Sequence, residues 1–71
     1  MRWKILECIF KHDGFTFERQ SGDHRSYVKN GVLRPIVIPN YKEIDIDIIK
    51  ANMRTAGMTR EQYFKLLAKC K

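Results

Sequence analysis

The fold is decided by residues 15–38, FTFERQSGDHRSYVKNGVLRPIVI, which contain three short runs typical of β-strands. Apolar and polar side chains alternate at the start of this stretch, and alternation is the strand period. Turn sequences separate the runs, and such short connections allow only antiparallel neighbours. Pro35 cannot donate to a ladder, which favours an edge or bulged third strand. The sequence therefore predicts a three-stranded meander, with strands at residues 15–20, 24–29 and 32–38 and turns at Ser21-Gly22-Asp23 and Asn30-Gly31.

Helical patterns flank this meander on both sides. Residues 2–12 place apolar side chains in one stripe, and Gly14 suits the position after a helix. The stretch EIDIDII alternates like a strand, but the residues from Ile48 onward repeat with helix period. We interpret it as a helix that starts after Asp45 or Asp47, either of which suits the cap. This helix ends at Gly57, and a last helix follows the capping box of Thr59 and Gln62, with Tyr63, Phe64, Leu67 and Cys70 inward.

The predicted elements follow the order α-β-β-β-α-α. An antiparallel sheet can be covered by helices on one face and remain open on the other. We therefore predict an α+β fold, a two-layer sandwich with a three-stranded antiparallel sheet and helices on one face. Residues 1–71 are expected to form a single domain, because 71 residues are too few for two.

Composition and charge restrict the class of protein. The hydrophobic content of 44% is that of a globular protein and excludes a disordered tail. No apolar run approaches a membrane span and no signal-peptide pattern follows Met1, so we expect no membrane association and a cytoplasmic protein. The net charge of +6 is shared evenly between the two halves of the chain. A basic folded domain of this size favours nucleic acid as its partner.

The candidate site is the first hairpin. His24 follows the glycine turn, and the basic side chains of residues 19–34 (Arg19, Arg25, Lys29 and Arg34) outnumber the single acid, Asp23. RNA carries its own nucleophile, the 2′-hydroxyl, so cleavage needs a proton acceptor or donor and cations around the phosphate. Histidine suits the first role near neutral pH and arginine or lysine suits the second. This combination points to cleavage of RNA without a metal.

Other interpretations of the same residues remain open. His24 shares strand parity with Val28, which looks inward-facing, so His24 can also be a structural residue. Ser21 and Ser26 lie close to His24, but no nucleophile elbow surrounds them. Tyr27 and Tyr41 are predicted to be exposed rings able to stack on bases.

The two cysteines, Cys8 and Cys70, lie near opposite ends of the chain. We expect both to be reduced and buried, with a bridge between them disfavoured in a cytosolic protein. Together with His12 and His24 they offer four zinc ligands in principle. The close spacing of zinc motifs is absent, however, so no metal site and no cofactor are predicted.

The chain resembles the HicA (YcfA-like) family of small bacterial toxins, which are mRNA interferases. The resemblance covers nearly the whole chain and rests on the order and spacing of several short pieces. These are Asp13-Gly14-Phe15, Phe17, Arg19, Gly22-Asp23-His24, Tyr27, Asn30-Gly31, Ile36-Val37-Ile38-Pro39 and Ala56-Gly57-Met58-Thr59-Arg60-Glu61.

The resemblance implies a fold like that of double-stranded-RNA-binding domains and cleavage of mRNA in a toxin–antitoxin pair. It implies His24 as the catalytic histidine. The charge, glycine turn and aromatic ring of the hairpin itself give the candidates for RNA binding, which are Arg19, Gly22, Arg25, Tyr27, Lys29 and Arg34. The resemblance also implies a HicB-type antitoxin as partner. One residue departs from the family pattern, since Asp23 stands where serine is usual. Two alternatives stay open: a non-catalytic RNA-binding domain of the same fold, and a module that binds only an acidic protein.

Overall fold

A computed structural model describes all 71 residues, and its elements follow the predicted order. The helices are α1 (Trp3–His12), α2 (Ile46–Ala56) and α3 (Arg60–Cys70); the strands are β1 (Thr16–Ser21), β2 (His24–Val28) and β3 (Ile36–Pro39). The strands form one antiparallel sheet in the order β1-β2-β3. This confirms the α+β fold and the meander. No helix combines the length and the apolar character that a bilayer crossing requires.

The helix ends follow the predicted local chemistry closely. Thr59 accepts a hydrogen bond from the Gln62 amide at 3.1 Å, which confirms the capping box of α3. Gly57 ends α2 with a φ of +67°. This left-handed backbone conformation is unfavourable for residues other than glycine. Asp45 occupies the N-cap position of α2, but its side chain makes no capping hydrogen bond. The helix start after Asp45 is thus confirmed, whereas the aspartate cap is not formed.

The third strand is shorter than predicted. It begins at Ile36, so the prediction of a strand from residue 32 is wrong. Residues 29–35 form a loop, in which Gly31 has a φ of +87°. The Asn30-Gly31 pair therefore lies in a wide connection and does not form a two-residue hairpin. Pro35 comes directly before β3, where its missing N–H costs no ladder hydrogen bond.

The core lies between α1, α3 and one face of the sheet. Leu6, Ile9 and Phe10 of α1 are fully buried, and Ile36 and Ile38 of β3 meet them from the sheet. Tyr63 and Leu66 complete the core from α3, whereas Phe64 is exposed. The prediction that Phe64 faces inward is wrong, because the contact side of α3 runs through Tyr63, Leu66, Leu67 and Cys70.

A disulfide joins Cys8 of α1 to Cys70 of α3, with Cα atoms 5.9 Å apart. The expectation that both cysteines are reduced is therefore wrong for this structure. The physical reason is tertiary: α3 packs beside α1 and brings together two residues that are 62 positions apart. Closing so long a loop restricts the unfolded chain and is worth roughly 4 kcal/mol in the chain-entropy model.

Candidate functional site

The two faces of the sheet carry different kinds of side chain. Arg25, Tyr27, Ile36 and Ile38 point to the face that α1 covers, which we call the inner face. The opposite face, called the open face, carries His24 and its neighbours on the same side of the sheet. These are Arg19, Ser21, Ser26, Val37 and Pro39.

A β-bulge decides which face Arg19 occupies. Phe17 pairs with Tyr27, but the next pair along the ladder is Arg19 with Ser26, so Glu18 is the extra residue. Without the bulge, strand alternation would put Arg19 on the inner face with Phe17. With it, Arg19 lies on the open face, two positions from the cross-strand neighbour of His24. Regular strand spacing puts the Cα atoms of Arg19 and His24 roughly 8 Å apart.

His24 is the first residue of β2 and is exposed. The turn before it consists of Gly22 and Asp23, and Gly22 has a φ of +57°, as two-residue hairpins with glycine first require. The Asp23 carbonyl accepts a hydrogen bond of 2.8 Å from the Asn40 amide, which ties the turn to the end of β3. The parity argument for an inward His24 is wrong, because Tyr27, not Val28, is the buried residue of β2.

A shallow cleft of about 310 Å³ opens beside His24, between the end of β3 and α2. Tyr41 forms one wall and is 46% exposed, which confirms the prediction of an accessible ring. Asn52 forms part of the floor. The other lining residues are Val37, Pro39, Ile48 and Ala51. An exposed imidazole, a nearby aromatic ring and an arginine on the same face can contact a phosphate and a base together.

Arg25 lies on the inner face and does not point toward His24. Its guanidinium donates hydrogen bonds to the Tyr27 hydroxyl at 3.0 Å, Gln20 Oε1 at 2.8 Å and Glu7 Oε2 at 3.1 Å. It also lies 4.3 Å from the ring centre of Phe17 and 4.9 Å from that of Trp3. The hydrogen bond with Tyr27, together with the Glu7 contacts, holds the pKa of Arg25 above its ordinary value despite burial. These contacts engage the Arg25 guanidinium within the protein itself and stabilise the inner face.

Tyr27 is fully buried, so the prediction of an exposed ring is wrong. Its hydroxyl donates to Glu7 Oε2, and its ring packs edge-on against Phe17. Burial, and then the hydrogen bond to Glu7, raises the pKa of Tyr27 to about 12. A ring enclosed in this way has no free face on which a base can stack.

Lys29 and Arg34 lie at the other end of the sheet from His24. Lys29 follows β2 and pairs with Asp13 at 3.4 Å, with its side chain over Gly14. Arg34 is exposed in the loop before β3, near Arg54 of α2. Lys29 lies five positions after His24, which corresponds to roughly 17 Å of extended chain. Of the predicted basic cluster, the structure therefore brings only Arg19 beside His24.

No role was predicted for two polar helix residues, Asn52 beside the cleft and Glu7 on the inner face. Asn52 is buried and donates a hydrogen bond of 2.9 Å to the Val37 carbonyl, which fixes α2 against the edge of the sheet beside the cleft. Glu7 is the acceptor that holds Arg25 and Tyr27. Each is a polar residue within an apolar helical stripe, and that interruption is the signal that indicates a buried partner.

Comparison with known proteins gives a family match. A family model described as "HicA toxin of bacterial toxin-antitoxin" matches residues 3–58 of the 71. The matched segment includes the sheet, His24, Arg19 and α2, and ends before α3. No curated protein matches the chain.

Proposed function

The chain belongs to the HicA toxin family, and from this premise we propose that it is an endoribonuclease that cleaves mRNA with His24 as acid or base. Residues 1–71 act together as one toxin domain. The observation that carries the proposal is the position of His24: it is exposed on the open face, beside a cleft and on the same face as Arg19.

The proposed chemistry follows from what His24 and RNA each supply. A neutral imidazole takes the proton of the 2′-hydroxyl while that oxygen attacks phosphorus, or the protonated form donates to the departing 5′-oxygen. The P–O5′ bond breaks and a 2′,3′-cyclic phosphate forms. Arg19 offers a bidentate contact to the phosphate as negative charge develops on it. Neither step uses a metal ion, and DNA lacks the required hydroxyl.

The partner of the toxin is proposed to be an antitoxin of the HicB type. Membership of a toxin–antitoxin family supports a protein partner. The net charge of +6 supports an acidic one, because opposite charge speeds association and favours the correct docking. Such a partner would cover His24 and Arg19 together and exclude RNA. The proposed site of action is the cytoplasm, where mRNA is found.

The deciding experiment is incubation of the purified protein with a long RNA in the presence of EDTA. We expect cleavage by the wild type and a loss of roughly 10²- to 10⁴-fold in His24→Ala, the range that general acid–base catalysis supplies. His12→Ala is the matched control, because His12 is exposed and lies on α1, away from the open face. Circular dichroism verifies that each variant is folded. Cleavage retained in a folded His24→Ala variant would refute the role of His24.

A non-catalytic RNA-binding domain is the second candidate, and Asp23 is the residue that favours it. Asp23 directly precedes His24 in the chain, and its negative charge repels a phosphate at the position where the family usually has serine. Asp23→Ser is therefore tested in the same assay. If the RNA stays intact with both the wild type and Asp23→Ser, and both bind it in a salt-dependent way, the protein is an RNA-binding domain and not an endoribonuclease.

A further inference from the structure

The disulfide between α1 and α3 has a third potential ligand beside it. His12 lies one helical turn after Cys8 on the same side of α1, so its imidazole adjoins the bridge. The two sulfurs and one ring nitrogen all lie within 4.8 Å of one another. Cys8 and Cys70 are half-buried and His12 is exposed, so reagents in solvent can reach the group. We call these three residues the Cys–His cluster.

The Cys–His cluster is separate from the proposed RNA site. It lies on the side of α1 that meets α3, whereas the sheet stands between α1 and the open face. His24, which the sequence alone groups with these residues, is on that open face and is not part of the cluster. Cys70 also lies outside residues 3–58, the segment that the family model matches. The cluster is therefore a property of this chain and not of the matched family segment.

The ligand chemistry of the cluster is that of a zinc site. Cysteine thiolates and neutral imidazole are the usual zinc ligands, at roughly 2.3 Å and 2.0 Å from the metal. Tetrahedral geometry at those bond lengths separates two sulfurs by roughly 3.8 Å and a sulfur from a nitrogen by roughly 3.5 Å. The spacing within 4.8 Å is close to this, so side-chain rotation is enough to reach it. Three protein ligands leave a fourth position for water.

We propose that the reduced chain binds Zn²⁺ through Cys8, His12 and Cys70, and that the disulfide and the metal are alternative states of one site. A dithiol or phosphine reductant supplies two electrons to break the S–S bond, and the two sulfurs take up two protons. Zn²⁺ then displaces both thiol protons and binds the two thiolates and the imidazole. The oxidised chain has no thiolate to offer, so it does not form this complex.

Cobalt titration of the reduced and the oxidised chain tests the proposal. Co²⁺ absorbs strongly in the visible only in tetrahedral sites, and thiolate ligands add a near-ultraviolet charge-transfer band. We expect one equivalent of Co²⁺ to give both signals with the reduced, desalted chain under argon, and one equivalent of Zn²⁺ to remove them. The oxidised chain is expected to give neither signal.

The variants identify the ligands. We expect Cys8→Ser, which keeps one thiolate, to retain at most about half of the charge-transfer intensity, and His12→Ala to bind cobalt at least about tenfold more weakly. His24→Ala, which removes the other histidine, is expected to bind as the wild type does. Because His12 is exposed, His12→Ala remains a valid test even where Cys8→Ser fails to fold. An octahedral spectrum from the reduced wild type, or equal affinity in His12→Ala and wild type, would overturn the proposal.

Discussion

The inner and open faces of the sheet use the same residue type in opposite ways. Arg25 on the inner face is held by three hydrogen bonds and lies against two aromatic rings. Arg19, on the neighbouring strand, is exposed on the open face with His24. Both are arginines of one hairpin and both look like phosphate ligands in the sequence. The face of the sheet on which each arginine lies therefore distinguishes a structural arginine from a candidate RNA ligand. For Arg19, a single bulge residue determines that face.

Of the changes considered for the two faces, substitution of Arg25 on the inner face is expected to lower the stability most. Arg25→Ala removes the guanidinium from the Glu7 carboxylate and the Tyr27 hydroxyl, together with its stacking on Phe17. Glu7 then keeps only the longer ion pair with Lys11, at 3.9 Å. Losing one member of such a partly buried network costs about 2–3 kcal/mol in the free energy of unfolding. Urea denaturation measures this loss. Arg19→Ala is the matched control, and its free energy of unfolding is expected within about 0.5 kcal/mol of the wild-type value. Equal losses in the two variants would mean that the faces do not differ in this way.

The faces on which these two arginines lie could not be predicted from the sequence, whereas several element boundaries could. Local chemistry at Thr59, Gly57 and the Gly22 turn acts over a few residues, so the elements it delimits were predicted correctly. The bulge at Glu18 has no such local signature, and it alone moves Arg19 to the face of His24. The family resemblance points to His24 and the charge of the hairpin points to Arg19, but neither indicates which neighbours share their face.

Tertiary contacts account for the remaining errors. The sequence predicts an exposed Tyr27 ring because its partner Glu7 is 20 positions away. Only the packing of α1 on the sheet brings the two residues together. The bridge between Cys8 and Cys70 depends in the same way on α3 lying beside α1. Such contacts are absent from any short window of sequence.

The inner face also predicts a specific response to high pH. The pKa of Tyr27 is raised to about 12 in the folded chain, above its ordinary value of 10.0. Between these values the unfolded chain loses the tyrosine proton while the folded chain keeps it, so stability falls as the pH rises. The contribution is fully present below pH 10, and roughly 2–3 kcal/mol is lost across this window.

Comparison of wild type with Tyr27→Phe isolates this contribution. Phenylalanine has no proton to lose, so the difference in unfolding free energy between the two proteins should shrink as the pH rises from 10 to 12. Other groups titrate in the same range, but they are common to both proteins and cancel in the difference. A difference that stays constant with pH would contradict the buried, hydrogen-bonded hydroxyl.

The smallest expected effect concerns the open face and is measured by RNA binding. Arg19→Ala is made in the His24→Ala background, so that the RNA stays intact during the titration. Because Arg19 offers one phosphate contact, its loss should weaken binding about fivefold and reduce the slope of log K against log salt by about 1. Arg34→Ala is the matched control, since Arg34 is equally an exposed arginine but lies at the far end of the sheet. We expect it to change the affinity by less than about twofold. If Arg34→Ala weakened binding as much as Arg19→Ala, the RNA would extend along the whole open face and the bulge would not select the arginine that binds it.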